Sequence, residues 1–369
     1  MRRPGAATIA GLALLLLAPG CSACGDASYT VRRGAALAPA AAPAPVPGAL
    51  RVLHLADFGE RTAQQAAVAR GVVAAHRRDP FTLAVFPGDN LYECGPDAAR
   101  PGAEACAFGP DRNTVTTPPV GTDPRFAELH EQPLAGLVDP APRVFLALGN
   151  HDVAAWGGCL RLGLEAAEAG RRKACAEVAH RSARWSMPGR HYVVDEGPAR
   201  FIFSDSAAVY GDYAGFTLDD EVAFLADAVR GCEARACFVV AHHPPATAGV
   251  HLRDFKPERA LRFERWVAAA GGQVRAFLAG HDHDLQHART AGGIDVLVSG
   301  NGATARPEER FEQVSGGGTL LFGSVLPGHG VLAVHGGGWT YRFEDTANRP
   351  LYCCAAAGAG RCEPVGCGP

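Results

Sequence analysis

The sequence predicts an α/β fold in which a sheet is covered by helices, and two observations predict it. Short apolar runs alternate with stretches of helical character between Leu50 and Ala279. Five of those runs each end in a compact polar motif, and in α/β sheets binding sites gather beyond the carboxyl ends of strands. The motifs are Ala56-Asp57-Phe58-Gly59, Gly88-Asp89-Asn90-Leu91-Tyr92, Gly149-Asn150-His151-Asp152, His242-His243-Pro244 and Gly280-His281-Asp282-His283. Far apart in the chain, they are expected to converge on one edge.

The elements follow in order. Arg51 to Ala56 reads as a buried strand ending at Asp57, and 61–77 as a helix with Ala, Gln and Val on one face. Thr82 to Phe86 is a second strand. Residues 93–123, rich in Gly, Pro and Cys, read as a long loop. A helix at 124–137 leads to the strand Val144 to Leu148. Residues 164–183 are expected to be helical, 191–195 and 200–204 to pair as strands, and 218–230 to form a helix. Cys237 to Ala241 is a strand, 257–270 a helix, Val274 to Ala279 a strand, and 294–343 mainly β with Gly-rich turns. No internal repeat of fixed period is visible.

The chain has 369 residues, 47% apolar and 20% charged, enough for a substantial core. A net charge of −3 gives no strong attraction to nucleic acid or to an anionic membrane. Residues 1–21 have a signal-peptide layout: Arg2 and Arg3, an apolar run from Ala6 to Ala18, then Pro19-Gly20-Cys21. Small residues before Cys21 resemble a bacterial lipoprotein cleavage site, with Cys21 as the lipidated first residue; plain secretion is the alternative. The Ala/Pro-rich stretch 22–48 reads as a semi-extended tether, 49–345 as the catalytic domain and 346–369 as a Cys- and Gly-rich tail. Of twelve cysteines, several lie in close sequence pairs. In an exported protein these spacings favour local disulfides, Cys94 with Cys106, Cys159 with Cys175 and Cys232 with Cys237. Cys353 or Cys354 would meet Cys362 or Cys367.

The motifs supply carboxylates, a phenol, a carboxamide and imidazoles, an inventory that suits two metal ions sharing one carboxylate. Gly88 lets the chain turn sharply before Asp89, whose carboxylate can bridge two cations. Asp152 and Asp282 are placed to orient neighbouring imidazoles. Taken singly, each motif has a plainer reading: Asp57 as a helix N-cap, Asp89-Asn90 as a turn, Tyr92 as a core aromatic. Five in order carry the argument. His54, His76, His130, His180, His191, His287, His329 and His335 read as structural or exposed.

The order D-x-G, G-D-N-x-Y, G-N-H-D, H-x-P, G-H-D-H resembles the calcineurin-like metallophosphoesterase superfamily, over roughly residues 50–345. Within it the pattern is similar to purple acid phosphatases of the small, tartrate-resistant type. Most members of the superfamily have a metal-binding His where Gly59 stands, and Tyr92 stands where purple acid phosphatases have their metal-bound tyrosine. The resemblance implies a four-layer α/β/β/α sandwich. It implies Fe(III) on Asp57, Asp89, Tyr92 and His283, and a second metal, Fe, Zn or Mn, on Asp89, Asn150, His242 and His281. His151 would lie beside the phosphate, and His251 matches a second substrate-side histidine. The chain departs from the family at Ala56, Glu60 and His243, the last replacing an aromatic residue.

The reading is therefore an exported, lipid-anchored acid phosphatase. It hydrolyses small phosphate monoesters by metal-activated hydroxide attack. A phosphodiesterase or nucleotide pyrophosphatase using the same site is the first alternative. A surface binding lipoprotein with a degenerate site is an alternative of another class.

Overall fold

The computed structural model describes residues 31–33, 46–160, 163–233, 235–306, 311 and 313–367. The signal segment, Cys21 and most of the tether lie outside the described residues. The strands are β1 (Val31–Arg33), β2 (Leu50–His54), β3 (Leu83–Pro87), β4 (Ala107–Phe108), β5 (Val115–Thr117), β6 (Arg143–Ala147), β7 (Arg181–Ser182), β8 (Trp185–Ser186), β9 (Tyr192–Glu196) and β10 (Ala199–Phe203). They continue as β11 (Ala236–Val240), β12 (Val274–Ala279), β13 (Leu285–Arg289), β14 (Asp295–Ser299), β15 (Thr319–Ser324), β16 (Gly328–His335), β17 (Gly338–Asp345), β18 (Pro350–Ala357) and β19 (Glu363–Val365). The α-helices are α1 (Ala63–Arg78), α2 (Ala166–Ala179), α3 (Ser206–Tyr210), α4 (Leu218–Ala228) and α5 (Pro257–Ala270).

Two large sheets organise these elements. The eight-stranded sheet has the order β1-β15-β13-β14-β12-β11-β10-β9, and the seven-stranded sheet β19-β18-β17-β16-β2-β3-β6. Period-two alternation sorts side chains between layers. Phe201, Phe203, Phe238, Val240 and Leu278 join Phe86, Phe145 and Phe343 in the core between the sheets. The intervening Ile202, Val239 and Phe277 turn the other way and pack on Leu225 of α4 and on Phe263 and Trp266 of α5. Every residue of β3 is buried, because Val68, Val72 and Ala75 of α1 add a helical layer outside the second sheet. The result is the expected α/β/β/α sandwich.

Parallel pairing places the site. β2, β3 and β6 run parallel in one sheet, and β10, β11, β12 and β14 in the other. The motif-bearing strands β2, β3, β6, β11 and β12 thus end at one edge. Local chemistry agrees with the helix boundaries. Thr62 caps α1, which leaves Asp57 free of capping duty. Thr217 and Asp220 form a capping box on α4, and Pro257 opens α5.

Several expectations need correction. The helix expected over 124–137 is only the short π-helical turn Ala127–Glu131. Pro133 has no N–H to continue it, and the Leu129 carbonyl instead accepts from Gln65 Nε2 at 2.8 Å. The helix expected over 164–183 stops at Ala179, and Arg181–Ser182 pair with Trp185–Ser186 in a hairpin. The loop 93–123 carries the β4–β5 ribbon. Val31–Arg33, inside the supposed tether, pair with β15 as an edge strand. The tail contributes β18 and β19 to the seven-stranded sheet.

The disulfides also depart from sequence proximity. Cys94 pairs with Cys159 and Cys106 with Cys175, while Cys232–Cys237 is local as expected. Both cysteines of the 93–123 loop reach across to the segment after β6, because that loop lies against α2. Cys353–Cys367 and Cys354–Cys362 close the β18–β19 hairpin. Five disulfides of this kind belong to a chain that folds in an oxidising compartment.

Cys106–Cys175 closes a separation of 69 residues. Replacing both cysteines by serine is expected to lower unfolding stability by about 2–4 kcal/mol. Urea denaturation under non-reducing conditions measures this, and an unchanged midpoint would show that the loop is held by packing alone.

Candidate metal centre

Three of the residues that leave the strands do so with a left-handed backbone: Asp57 (φ 54), Asp89 (φ 52) and His281 (φ 72). Non-glycine residues rarely adopt this conformation, so three at one sheet edge mark a place where side-chain aim outweighs local strain. Gly88 is also left-handed, and a Cβ there would sit 2.7 Å from Gly149 N and 2.8 Å from His242 Cβ. Its absence lets the β3 turn pass between the β6 and β11 turns.

The seven expected ligands converge, all of them buried except the half-buried Asn150. In one group Tyr92 Oη lies 2.9 Å from Asp57 Oδ1, 2.8 Å from Asp89 Oδ2 and 3.1 Å from His283 Nε2. His283 Nε2 is 3.5 Å from Asp57 Oδ1. In the other, His242 Nε2 lies 2.9 Å from Asn150 Oδ1, 3.2 Å from His281 Nδ1 and 3.4 Å from Asp89 Oδ1. The two oxygens of Asp89 therefore face different groups.

This set fits cations and little else. His242 Nδ1 donates to the Pro87 carbonyl at 3.0 Å, which leaves Nε2 as a bare lone pair aimed at further acceptors. Around Tyr92, one phenolic proton faces two carboxylates and an imidazole nitrogen. Among the described residues, Asp57, Asp89 and His242 bring ligand atoms within 4.8 Å of one another, as do His242, His243 and His281. His251, Asp254 and His281 form a third such group.

Electrostatics point the same way. Burial, reinforced by Asp89, holds the Asp57 carboxyl well above its usual range. Burial and then the charges of Asp57 and Asp89 push the Tyr92 phenol well up. Asp89 is raised by burial, but the His242 and His151 imidazoles outweigh this and leave it below its usual value. His283 is pushed down to about 4, chiefly by burial and then by Arg306. Burial also lowers His242 and His281, the latter with help from His243 and His251. Burial disfavours the protonated form of the ligand histidines, which leaves their lone pairs ready to coordinate.

Surrounding groups aim these ligands. His281 N donates to Asp57 Oδ2 at 2.8 Å, and His151 N to Asp89 Oδ1 at 2.9 Å. Asp282 holds His251 through its backbone N (3.0 Å) and Nδ1 (2.9 Å), and also accepts from the Thr247 hydroxyl. Asp152 does not orient an imidazole, contrary to expectation. It accepts from the backbone N of Gly149, Asn90 and Leu91 at 2.7, 2.8 and 3.0 Å, so it ties the β3 and β6 turns together. His151 Nδ1 instead donates to the Glu93 carbonyl at 2.6 Å. Burial, then Asp89, raises Asp152 to about 7, and neighbouring Glu177 is raised well above its usual value.

Gly59 explains the tyrosine. A Cβ at this position would lie 2.0 Å from the Asn90 carbonyl oxygen. Tyr92 N donates to Gly59 O at 2.9 Å, and Gly59 N to Asp89 O at 3.3 Å. The loop that delivers Tyr92 thus runs through the space any side chain at 59 would need. Sequence reading missed Glu177, Arg306 and the aromatic wall made by Trp156, Tyr210 and Tyr213, since none lies in a motif. His243 was visible as a departure, and it stacks on Tyr210 at 4.5 Å.

Comparisons with known proteins agree with this geometry. The family model described as calcineurin-like phosphoesterase matches residues 50–285. Among solved structures, the chain is similar to GAP50, the anchor in the inner membrane complex of Plasmodium. That match has a TM-score of 0.61 and 16% identity, covering 84% of this chain and 89% of that one. It is also similar to the purple acid phosphatase PPD1 from yellow lupin (Lupinus luteus) seeds. There the TM-score is 0.55 with 14% identity, covering 85% of this chain and 55% of the lupin chain. At these identities the likeness is one of fold. No match was found among curated proteins.

Gly59→Ala is expected to push the Asn90–Tyr92 segment away and to lower metal content at the Tyr92 side of the site. Elemental analysis after metal loading tests this. Full metal content with an unchanged melting temperature would show that the loop accommodates a side chain there.

Proposed function

The chain belongs to the calcineurin-like phosphoesterase family, and we propose that it is an exported acid phosphatase of the purple, tartrate-resistant type. The observation that carries this reading is the meeting of Tyr92 with Asp57, Asp89 and His283 where Gly59 offers no ligand. A phenolate with two carboxylates is a hard, anionic set that favours Fe(III). Asn150, His242 and His281, sharing Asp89, form a softer set for Fe(II), Zn(II) or Mn(II). Two such cations supply the Lewis acidity that makes water nucleophilic below neutral pH, and they neutralise charge on the transferring phosphoryl group.

The protein's own groups do the rest. Asp89 holds the two sides at a fixed separation. His242 is locked by Pro87 O in the tautomer that coordinates through Nε2. His151, beside Asn150, and His251, held by Asp282, flank the phosphate. There they donate hydrogen bonds, and one delivers a proton to the departing alkoxide. Burial of the ligand histidines suits work in acid, because their lone pairs survive at pH values that protonate ordinary imidazoles. Attachment through lipidated Cys21 is part of the same proposal.

The experiment is purification with metal analysis, a visible spectrum and p-nitrophenyl phosphate hydrolysis near pH 5. Two metals per chain, one of them iron, with a purple or pink colour and phosphatase activity are expected. Tyr92→Phe should bleach the colour, and Asp89→Ala should release both metals. A colourless, fully metallated and oxidised wild type would refute the assignment.

A further expectation concerns pH. With His283 pushed down to about 4, protons compete for it only below that value. His283 therefore stays available at pH 5, and metal should be retained on dialysis there. Loss of half the metal at pH 6 would contradict the buried-ligand account.

A further inference from the structure

A cavity of about 670 Å³ opens beside Asn150 and His281, on the side of the site away from Tyr92. Its walls include Trp156, Tyr210 and Tyr213. Trp156 is 50% exposed, with the ring of His151 edge-on at 5.8 Å. The turn that bears it is pinned by the Cys94–Cys159 disulfide. The two tyrosines spend their hydroxyls on the protein: Tyr210 donates to Asp254 at 3.1 Å and Tyr213 to Asp205 at 2.7 Å. Tyr213 therefore offers the cavity ring surface, while Tyr210, stacked on His243 and covered by the Arg259 guanidinium, offers a ring edge.

Charge in this cavity is unusual for a site that takes phosphate esters. Among the described residues, no lysine or arginine lines it, while Asp212 and Asp254 do. The nearby arginines are spent on other groups: the Arg259 guanidinium lies 3.6 Å over the Tyr210 ring, and Arg262 pairs with Asp212. Arg259 donates to Asp254 O at 2.8 Å, and Arg262 to Val209 O and Ala208 O, each at 2.8 Å. Among the described residues, the lining thus offers a second anionic group no lysine or arginine.

We propose that this cavity holds the alcohol portion of the substrate and selects phosphate esters with an uncharged aromatic leaving group. Polyanionic esters, such as inositol polyphosphates and nucleoside triphosphates, are turned away. The proposal rests on the phosphoesterase reading above. Hydrolysis there breaks the phosphorus–oxygen bond, with water supplying the new oxygen and the proton of the released phenol or alcohol.

Titration calorimetry of the metal-loaded protein tests the cavity without turnover. Three probes are used: phenylphosphonate, methylphosphonate and 4-carboxyphenylphosphonate. Phenylphosphonate is expected to bind at least ~10-fold more tightly than methylphosphonate, from burial of one ring against Trp156 and the tyrosines. The added carboxylate should cancel most of that gain. Trp156→Ala should reduce the phenyl-to-methyl ratio to within roughly 3-fold. Ala167→Arg, at an exposed lining position, should restore binding of the carboxylated probe. Equal affinity for phenyl- and methylphosphonate, or preference for the carboxylated probe in the wild type, would overturn the proposal. Aromatic preference without hydrolysis of any monoester would support the cavity and sink the phosphatase reading. Hydrolysis without aromatic preference would do the reverse.

Discussion

The structure is organised around one unfavourable contact. The buried carboxylates of Asp57 and Asp89 lie 2.9 and 2.8 Å from the same phenolic oxygen. Like charges this close and this buried oppose folding unless a cation or a proton joins them. Groups that neutral neighbours cannot satisfy become ligands. The surrounding fold resists their separation. Parallel strands from both sheets end at the same edge, three residues accept a left-handed backbone, and Asp152 ties two of the turns together. Metal affinity and fold stability are linked through this contact, since the bound state removes the repulsion that the metal-free state must bear.

Legibility from sequence followed the range of the interactions. Strands β2, β3, β6, β11 and β12 were readable because burial on both faces demands unbroken apolar runs, and the ligands were readable because each follows such a run directly. Helix α5 was readable over its full span, with Pro257 at its start and Gly271 after its end. Pairings set by tertiary approach were not. Cys94 and Cys106 look like partners only until the loop is laid across α2. The Leu129 carbonyl could be known to be taken by Gln65 only once α1 and the turn had met. Asp152 sits beside His151 in sequence, yet the turn geometry gives its oxygens to three backbone N–H groups.

The two histidines proposed to face the substrate illustrate the same point. His151 follows a ligand candidate directly whereas His251 rested on spacing alone, and the structure holds them differently. His251 is fixed by a buried carboxylate through both its backbone and its ring, and it lines the cavity. His151 has its ring nitrogen on a main-chain carbonyl and its ring 4.4 Å from that of Tyr92. His151 Nδ1 also has the exposed Glu93 carboxylate 3.4 Å away, so both rings face a carboxylate, a buried one only for His251. The arrangement fixes the His251 ring on the cavity side. It gives His151 an orientation coupled to the tyrosine.

Gly59 and Tyr92 are a single structural choice. With the Asn90 carbonyl 2.0 Å from where a Cβ would stand, a histidine at 59 and the present course of the 89–92 loop exclude each other. Exchanging an imidazole for a phenolate is therefore not a substitution at fixed backbone. It reroutes a loop, closes the gap with two main-chain hydrogen bonds, and adds one negative charge to the group around Asp57. In the proposed reading, that extra charge would favour a trivalent over a divalent ion. The chemistry of the first metal is thus written in the absence of a side chain as much as in the presence of one.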